Sequence, residues 1–309
     1  MLIRPYLPDD EEAILTLWND CLMKDRITPA AFRERTLLEP NFDARRALLA
    51  IENDRIAGFV CGMRRATAWW GYSPAPEKGW ITTIFVAPAF RRRGIGSRLL
   101  QSAMEFLQSE GCVEVRFAHF APHYYFPGVD QVAYPGALEF FRRHGFAIEE
   151  KVVAMGRQLY DLVVPLPVIE QERRLAEEGI RCCYFEPRYL PPALSFFKET
   201  FPTWGYYFRR KLQAQPWQED EMVIVVDRDR VIGYCQQLEA EHIGPFGIHP
   251  DFRGRGIGTV MLYRLLRRMQ EKEYRFAWFG MTEHAESYYA RAGFEPTREH
   301  LKLIRRLNA

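Results

Sequence analysis

Apolar positions along the chain recur at two spacings. RALLAIENDRIAGFVCGM, Arg46 to Met63, places two apolar runs around a polar centre, and MVIVVDRDRVIGYCQQL, Met222 to Leu238, repeats that arrangement. Each stretch predicts strand, turn, strand. Elsewhere the period is helical: Leu99, Leu100, Ala103, Met104 and Leu107 form one stripe, and Leu262, Leu265, Leu266 and Met269 form another. DEEAILTLWNDCL (10–22) and PPALSFFKETF (191–201) read as helices ahead of the hairpins. ALEFFRRHGFAIEE and ESYYARAGFEPTRE read as helices halted at Gly145 and Gly293, each with an aromatic entering the next strand.

The elements therefore come twice in the same order, and 309 residues accommodate two α/β domains of common size. The expected division is 1–160 and 180–309. Prolines and a charged run mark 161–179, VVPLPVIEQERRLAEEG included, as the linker. A balance of 42 Lys+Arg against 40 Asp+Glu argues against the broad basic field of a nucleic-acid binder. Six cysteines without CxxC spacing favour reduced core thiols and no metal site. No run reaches the roughly 18 apolar residues of a membrane span, so a cytoplasmic protein is expected.

The candidate chemistry lies between strand and helix in each copy. FRRRGIG (Phe90 to Gly96) and FRGRGIG (Phe252 to Gly258) follow a short apolar run ending at Pro88 or Pro250 and precede the striped helices. Glycines at a helix start free backbone N–H groups to converge on an anion, and the helix dipole adds positive potential. A nucleotide-triphosphatase loop needs Gly-Lys-Ser/Thr at its end, which neither copy has. A dinucleotide fingerprint needs a small residue where Leu99 and Met261 stand.

What remains is Arg-x-x-Gly-x-Gly, preceded by VAPAF or IHPDF and followed by an amphipathic helix. In this context the motif resembles the acyl-CoA-binding signature of the GNAT superfamily of N-acyltransferases, and the resemblance runs over nearly the whole chain as two tandem domains. It implies, for each domain, a mixed, mostly antiparallel sheet flanked by helices. It also implies that the backbone of Arg91, Arg92, Arg93, Gly94, Ile95, Gly96 and Ser97 cradles the diphosphate of acetyl-CoA. Arg253, Gly254, Arg255, Gly256, Ile257, Gly258 and Thr259 would do the same in the second copy. The strand before the loop is expected to splay from its neighbour and pair with the pantetheine arm at Phe85 and Val86, and at Gly247 and Ile248.

Acetyl transfer to an amine needs a base for the amine and an acid for the departing thiolate. In the family the acid is often a tyrosine four residues before the glycine that ends the last helix. That position holds Tyr289 in the second domain, with Tyr288 as its neighbour, and Phe141 in the first. The base commonly lies six residues upstream of Val86 or Ile248, where Trp80 and His242 stand, with Glu241 and Glu239 as alternatives beside His242. The second domain has both groups and the first has neither. The expected activity is acetyl transfer from acetyl-CoA to a primary amine of a small molecule or peptide, with the first domain degenerate. A tandem protein that binds acyl-CoA without chemistry is the alternative. APHYYFPGVDQVAYPG (Ala121 to Gly136), present only in the first copy, is expected to be an ordered loop with a packing role. TAWWGYSP (Thr67 to Pro74) is compatible with either recognition or packing.

Overall fold

Both hairpins form, and their turns explain the residues chosen. Asn53 and Asp54 have φ of 50° and 57°, the left-handed pair that a tight two-residue turn requires, and Arg228 has φ of 52° at the matching turn. The computed structural model describes residues 1–69, 71–214, 221–282 and 284–307. Trp70, in the aromatic stretch from Thr67 to Pro74, lies outside them.

The elements follow in the order β1 (Leu2–Pro5), α1 (Glu11–Cys21), α2 (Pro29–Phe32), β2 (Ala47–Glu52), β3 (Arg55–Arg65), β4 (Ala75–Val86), α3 (Ile95–Ser109), β5 (Glu114–Phe117), α4 (Ala137–Arg143) and β6 (Ala147–Gln158). They continue with α5 (Leu166–Glu177), β7 (Ile180–Tyr184), α6 (Leu190–Thr200), α7 (Gly205–Gln213), β8 (Met222–Asp227), β9 (Arg230–Glu239), β10 (His242–Ile248), α8 (Ile257–Glu271), β11 (Phe276–Phe279), α9 (Glu286–Arg291) and β12 (Glu295–Arg306). Two units result. Among the described residues, the first takes Met1–Trp69, Ser73–Val152 and 299–307, and the second takes 71–72 and those within Val153–Arg298.

In the first unit the sheet runs β1-β2-β3-β4-β5 and is closed by Leu303–Arg306 of β12, antiparallel to β5. Only β4 and β5 are parallel. In the second unit it runs β7-β8-β9-β10-β11 and is closed by Met155–Gln158 of β6, antiparallel to β11, with β10 and β11 as the parallel pair. Each sheet is thus mixed and mostly antiparallel.

The division differs from the contiguous spans 1–160 and 180–309. Residues 153–160 belong to the second unit and 299–307 to the first. Alternating polarity identifies β6 and β12 as strands but leaves their partners unspecified, because any antiparallel neighbour of the right face satisfies it. The stretch 161–179 is likewise more than a linker: it carries α5, which packs on α8 and buries Leu175 in the second unit's core.

The striped helices bury as their spacing requires. Leu99, Leu100, Ala103, Met104 and Leu107 lie in the first core against β2, β3 and β4, and Leu262, Leu265, Leu266 and Met269 lie in the second. Each such leucine contributes about 1.5–3 kcal/mol by leaving water. The second unit has a further core on the other face of its sheet, where Phe196, Phe197 and Phe208 of α6 and α7 surround Tyr234. All six cysteines are free thiols, four of them buried.

The segment from Ala121 to Gly136 is ordered packing. Tyr125 sets its ring 4.6 Å from Trp18 and its hydroxyl 2.6 Å from Thr36 Oγ1, while Phe126 lies on Phe117. His123 meets Glu39 at 2.5 Å with both side chains almost fully buried, and Asn41 donates a second bond to the same carboxylate. Burial alone would raise the Glu39 carboxyl, but the bonds from His123 and Asn41 outweigh it and hold the group below its ordinary value.

Removing one partner of a buried hydrogen-bonded pair leaves the other unsatisfied, so Glu39→Gln is expected to cost about 1–3 kcal/mol. Chemical denaturation would show this, with partial recovery on adding His123→Gln. The adjacent His119 generates a pH dependence. Burial, with the cations of Lys302 and Arg116, pushes its imidazole down to about 4. The unfolded chain, titrating near pH 6.5, takes up a proton that the folded chain refuses. Stability is therefore expected to fall between pH 6.5 and 4, by at most about 1.4 kcal/mol per pH unit from this group. Melting temperatures of wild type and His119→Asn across that window would test it, the variant losing less on acidification.

Candidate active site

The site begins where a strand leaves its neighbour. β4 pairs with β5 only over Lys78–Ile81, and β10 pairs with β11 only at His242 with Trp278. A register shift marks each departure: in β4 between Ile81 and Thr83, and in β10 between Ile243 and Phe246, where one extra residue is inserted. A bulge bends and twists its strand. The backbone of Thr82–Val86 and of Gly244–Ile248 thereby turns away from the parallel partner, leaving peptide groups on that side for another extended chain.

The signature arginines hold the ends of these strands. Arg91 Nε donates to Val86 O at 3.0 Å, and Arg253 Nε donates to Ile248 O at 3.2 Å. Phe85 is buried against Trp18 and Phe59, so the first unit offers its main chain there and not its ring. Gly247 has no side chain because a Cβ would come within 2.5 Å of the Trp204 indole, which is stacked on Phe201.

Beyond each strand the loop alternates handedness. Arg92 and Gly94 have φ of 64° and 78°, and Gly254 and Gly256 have φ of 75° and 74°. Left-handed residues at alternate positions turn successive N–H groups toward one concavity, a nest for an anion. Gly94 serves conformation alone, since a Cβ there would meet nothing within 4 Å. Gly96 and Gly258 admit close approach: their Cβ positions lie 3.4 Å from the Phe140 ring and 3.2 Å from the Tyr288 hydroxyl. Ile95 and Ile257 bury and anchor the first turns of α3 and α8, where Ser97 and Thr259 also lie. With two 15-residue helices directing their N-termini at the nests, the loops suit a diphosphate. Arg93 lies over Phe90, while Arg255 lies over Phe252 and is paired with Glu178.

In the second unit the acid and base candidates flank the departure point. Tyr289 is buried with its ring 4.3 Å from Phe279 of β11 and 6.0 Å from Phe246 of β10, so it stands across the diverging strands. His242 is stacked on Trp278 at 3.9 Å. Ala277 and Phe279 belong to the core that holds Tyr289, and strand alternation therefore turns Trp278 between them, with His242 stacked on it, to the opposite face. Tyr288 is placed differently, its hydroxyl over Gly258, and burial pushes its phenol up. Glu241 is engaged in structure: its carboxylate accepts the Phe276 N–H at 3.0 Å and its carbonyl accepts the Trp278 N–H, fixing the start of β11. Glu239 is paired with Arg210.

The first unit has the same frame without the polar groups. Phe141 lies on Phe117 at 4.2 Å, and Trp80 packs on Phe120 with the Arg65 guanidinium over its ring. Sequence reasoning did not find Gln171 of α5 and Glu178 just beyond its end, which reach the second loop. Their only signal was position in a charged stretch. It also missed the Glu39–His123 pair, whose members are 84 residues apart.

Comparison with known proteins agrees with this geometry. Residues 11–146 match the acetyltransferase (GNAT) family and residues 192–302 match the acetyltransferase (GNAT) domain. A mycothiol acetyltransferase of Thermobispora bispora is 26% identical over 286 residues, covering 86% of this chain and 84% of its own. A fungal β-N-acetylglucosaminidase with a GCN5-related glucosamine N-acetyltransferase region superposes with a TM-score of 0.79 at 18% identity over 98% of this chain, which spans only 38% of that longer protein. A tandem GNAT protein from the clavulanic acid biosynthesis pathway gives a TM-score of 0.66 at 15% identity, covering 100% of this chain and 99% of that one. Among the described residues no helix is long and apolar enough to cross a membrane. Twofold signature, twofold sheet and twofold family match together make the chain a tandem member of the GNAT family, an acetyl-CoA-dependent N-acyltransferase.

Proposed function

We propose that the second unit carries out the chemistry, transferring an acetyl group from acetyl-CoA to the primary amine of a small molecule or peptide. The observation that carries this reading is the contrast at matched positions: Tyr289 and His242 in the second unit, Phe141 and Trp80 in the first.

Acetyl-CoA, when bound, supplies a thioester already activated toward amines. The nest from Arg253 to Thr259 would hold its diphosphate, and the main chain of β10 at Gly247 and Ile248 would align the arm. His242, on one face of the sheet, takes the proton of the incoming amine. Tyr289, on the other, gives its phenolic proton to the departing sulfur. A β10 amide released from pairing also donates to the carbonyl oxygen as negative charge develops there. Glu241 is a weaker candidate for the base because its carboxylate already caps β11.

The first unit keeps the nest, Arg91 to Ser97, and the diverging strand with Phe85 and Val86, but has no hydroxyl at Phe141 and no base at Trp80. It suits acyl-CoA binding without turnover.

Tyr289→Phe is expected to lower kcat by about a hundredfold while leaving acetyl-CoA affinity nearly unchanged. Tyr288→Phe is expected to act on acetyl-CoA binding instead, because its hydroxyl lies at the loop. Steady-state kinetics of thiol release with an amine panel separates the two, and an unchanged rate in Tyr289→Phe removes the acid assignment. His242→Gln is expected to abolish the acidic limb of the kcat/KM profile against pH; a limb that persists would assign the base elsewhere.

A further inference from the structure

We propose that Gln171, on a helix outside the family signature, is a positioning residue for the second diphosphate loop. The proposal rests on the reading that this loop holds the donor. α5 packs along α8, and its Gln171 Nε2 donates to the backbone carbonyl of Arg255 at 2.9 Å. The next residue is Gly256, in the left-handed conformation at φ 74°. Across a trans peptide the C=O and the following N–H point in opposite directions. Holding the Arg255 carbonyl outward on α5 therefore turns the Gly256 N–H inward, toward the other loop donors.

The side chain also acts by contact. Gln171 carbons lie 3.0 and 3.3 Å from where a Gly256 Cβ would be, so the amide is seated directly against the loop. Glu178 pairs with Arg255 and Glu172 with Arg264, which ties the same helix to the loop and to α8 at further points. The Arg255–Glu178 pair is exposed and contributes little by itself, and the Arg264–Glu172 pair is half-buried and lies away from the loop. The Gln171 bond differs because it fixes a peptide plane. A loop with two glycines has many alternative conformations, and an anion binding to it bears the cost of choosing one unless the choice is already made. In the first unit the space at Gly94 is open, and a Cβ would meet nothing within 4 Å. The second loop is thus preset by α5, in the unit that has Tyr289 and His242.

The test uses the full chain carrying Gly94→Val, so that the first loop is disabled and the second is read alone. Calorimetric titration with acetyl-CoA, and separately with inorganic diphosphate, is compared for Gln171 and two variants. Gln171→Met keeps the packing and loses the donor; Gln171→Ala loses both. Both variants are expected to weaken both ligands by roughly three- to tenfold, the worth of one hydrogen bond, with an unchanged melting temperature in the absence of ligand. Parental affinity in Gln171→Met would overturn the proposal, as would a loss of affinity that tracks a fall in the unliganded melting temperature. Gly256→Val separates the two levels. If it abolishes binding while Gln171→Met does not weaken it, only the role of Gln171 fails; if it too leaves affinity unchanged, the loop is not the donor site.

Discussion

A parallel pair of strands that pairs at one end and parts at the other leaves peptide groups with no partner in the sheet, and each unit is organised around that divergence. Main-chain N–H and C=O groups left without bonds away from water are costly, so an opened strand is stable only where water or a ligand chain replaces the lost neighbour. The bulge in β10 after Ile243 opens the strand, and Arg253 holds its end through the Ile248 carbonyl. The nest follows at once. Strand, arginine and loop form one continuous piece of backbone, which explains why glycine and arginine recur while the side chains around them differ.

The two copies of this frame have diverged in what surrounds it. In the first unit the segment from Ala121 to Gly136 lays aromatic rings beside Trp18 and Phe117 and buries His123 against Glu39. In the second, α5 holds the loop and the aromatic pair Phe201 and Trp204 lies over Gly247. At matched positions the second unit has Tyr289 and His242 where the first has Phe141 and Trp80.

The hairpins, the buried stripes of α3 and α8 and both loops were legible in the sequence, because each is written in local spacing: alternation for strands, 3.6-residue recurrence for helices, and glycine where φ must be positive. Tyr289 and His242 were singled out by the family resemblance, at positions counted from those landmarks. What was not legible depends on partners distant in the chain. The pattern of β12 fits a strand equally well whichever sheet it completes, and the contacts assign its last residues to β5. The charged stretch after residue 161 looked like a linker because α5 buries little besides Leu175, and its function lies in a single side-chain bond. Glu241 looked like a base by adjacency, and only the structure shows its carboxylate committed to the Phe276 amide.

Hydrogen–deuterium exchange of the full chain with and without acetyl-CoA tests most directly whether the opened main chain and its nest grip the donor. The account predicts slower exchange on binding in the segment 244–248, at the amides that face away from β9, and in the loop 253–259. Binding that leaves both segments exchanging at their unliganded rates, with protection elsewhere in the second unit, would contradict it.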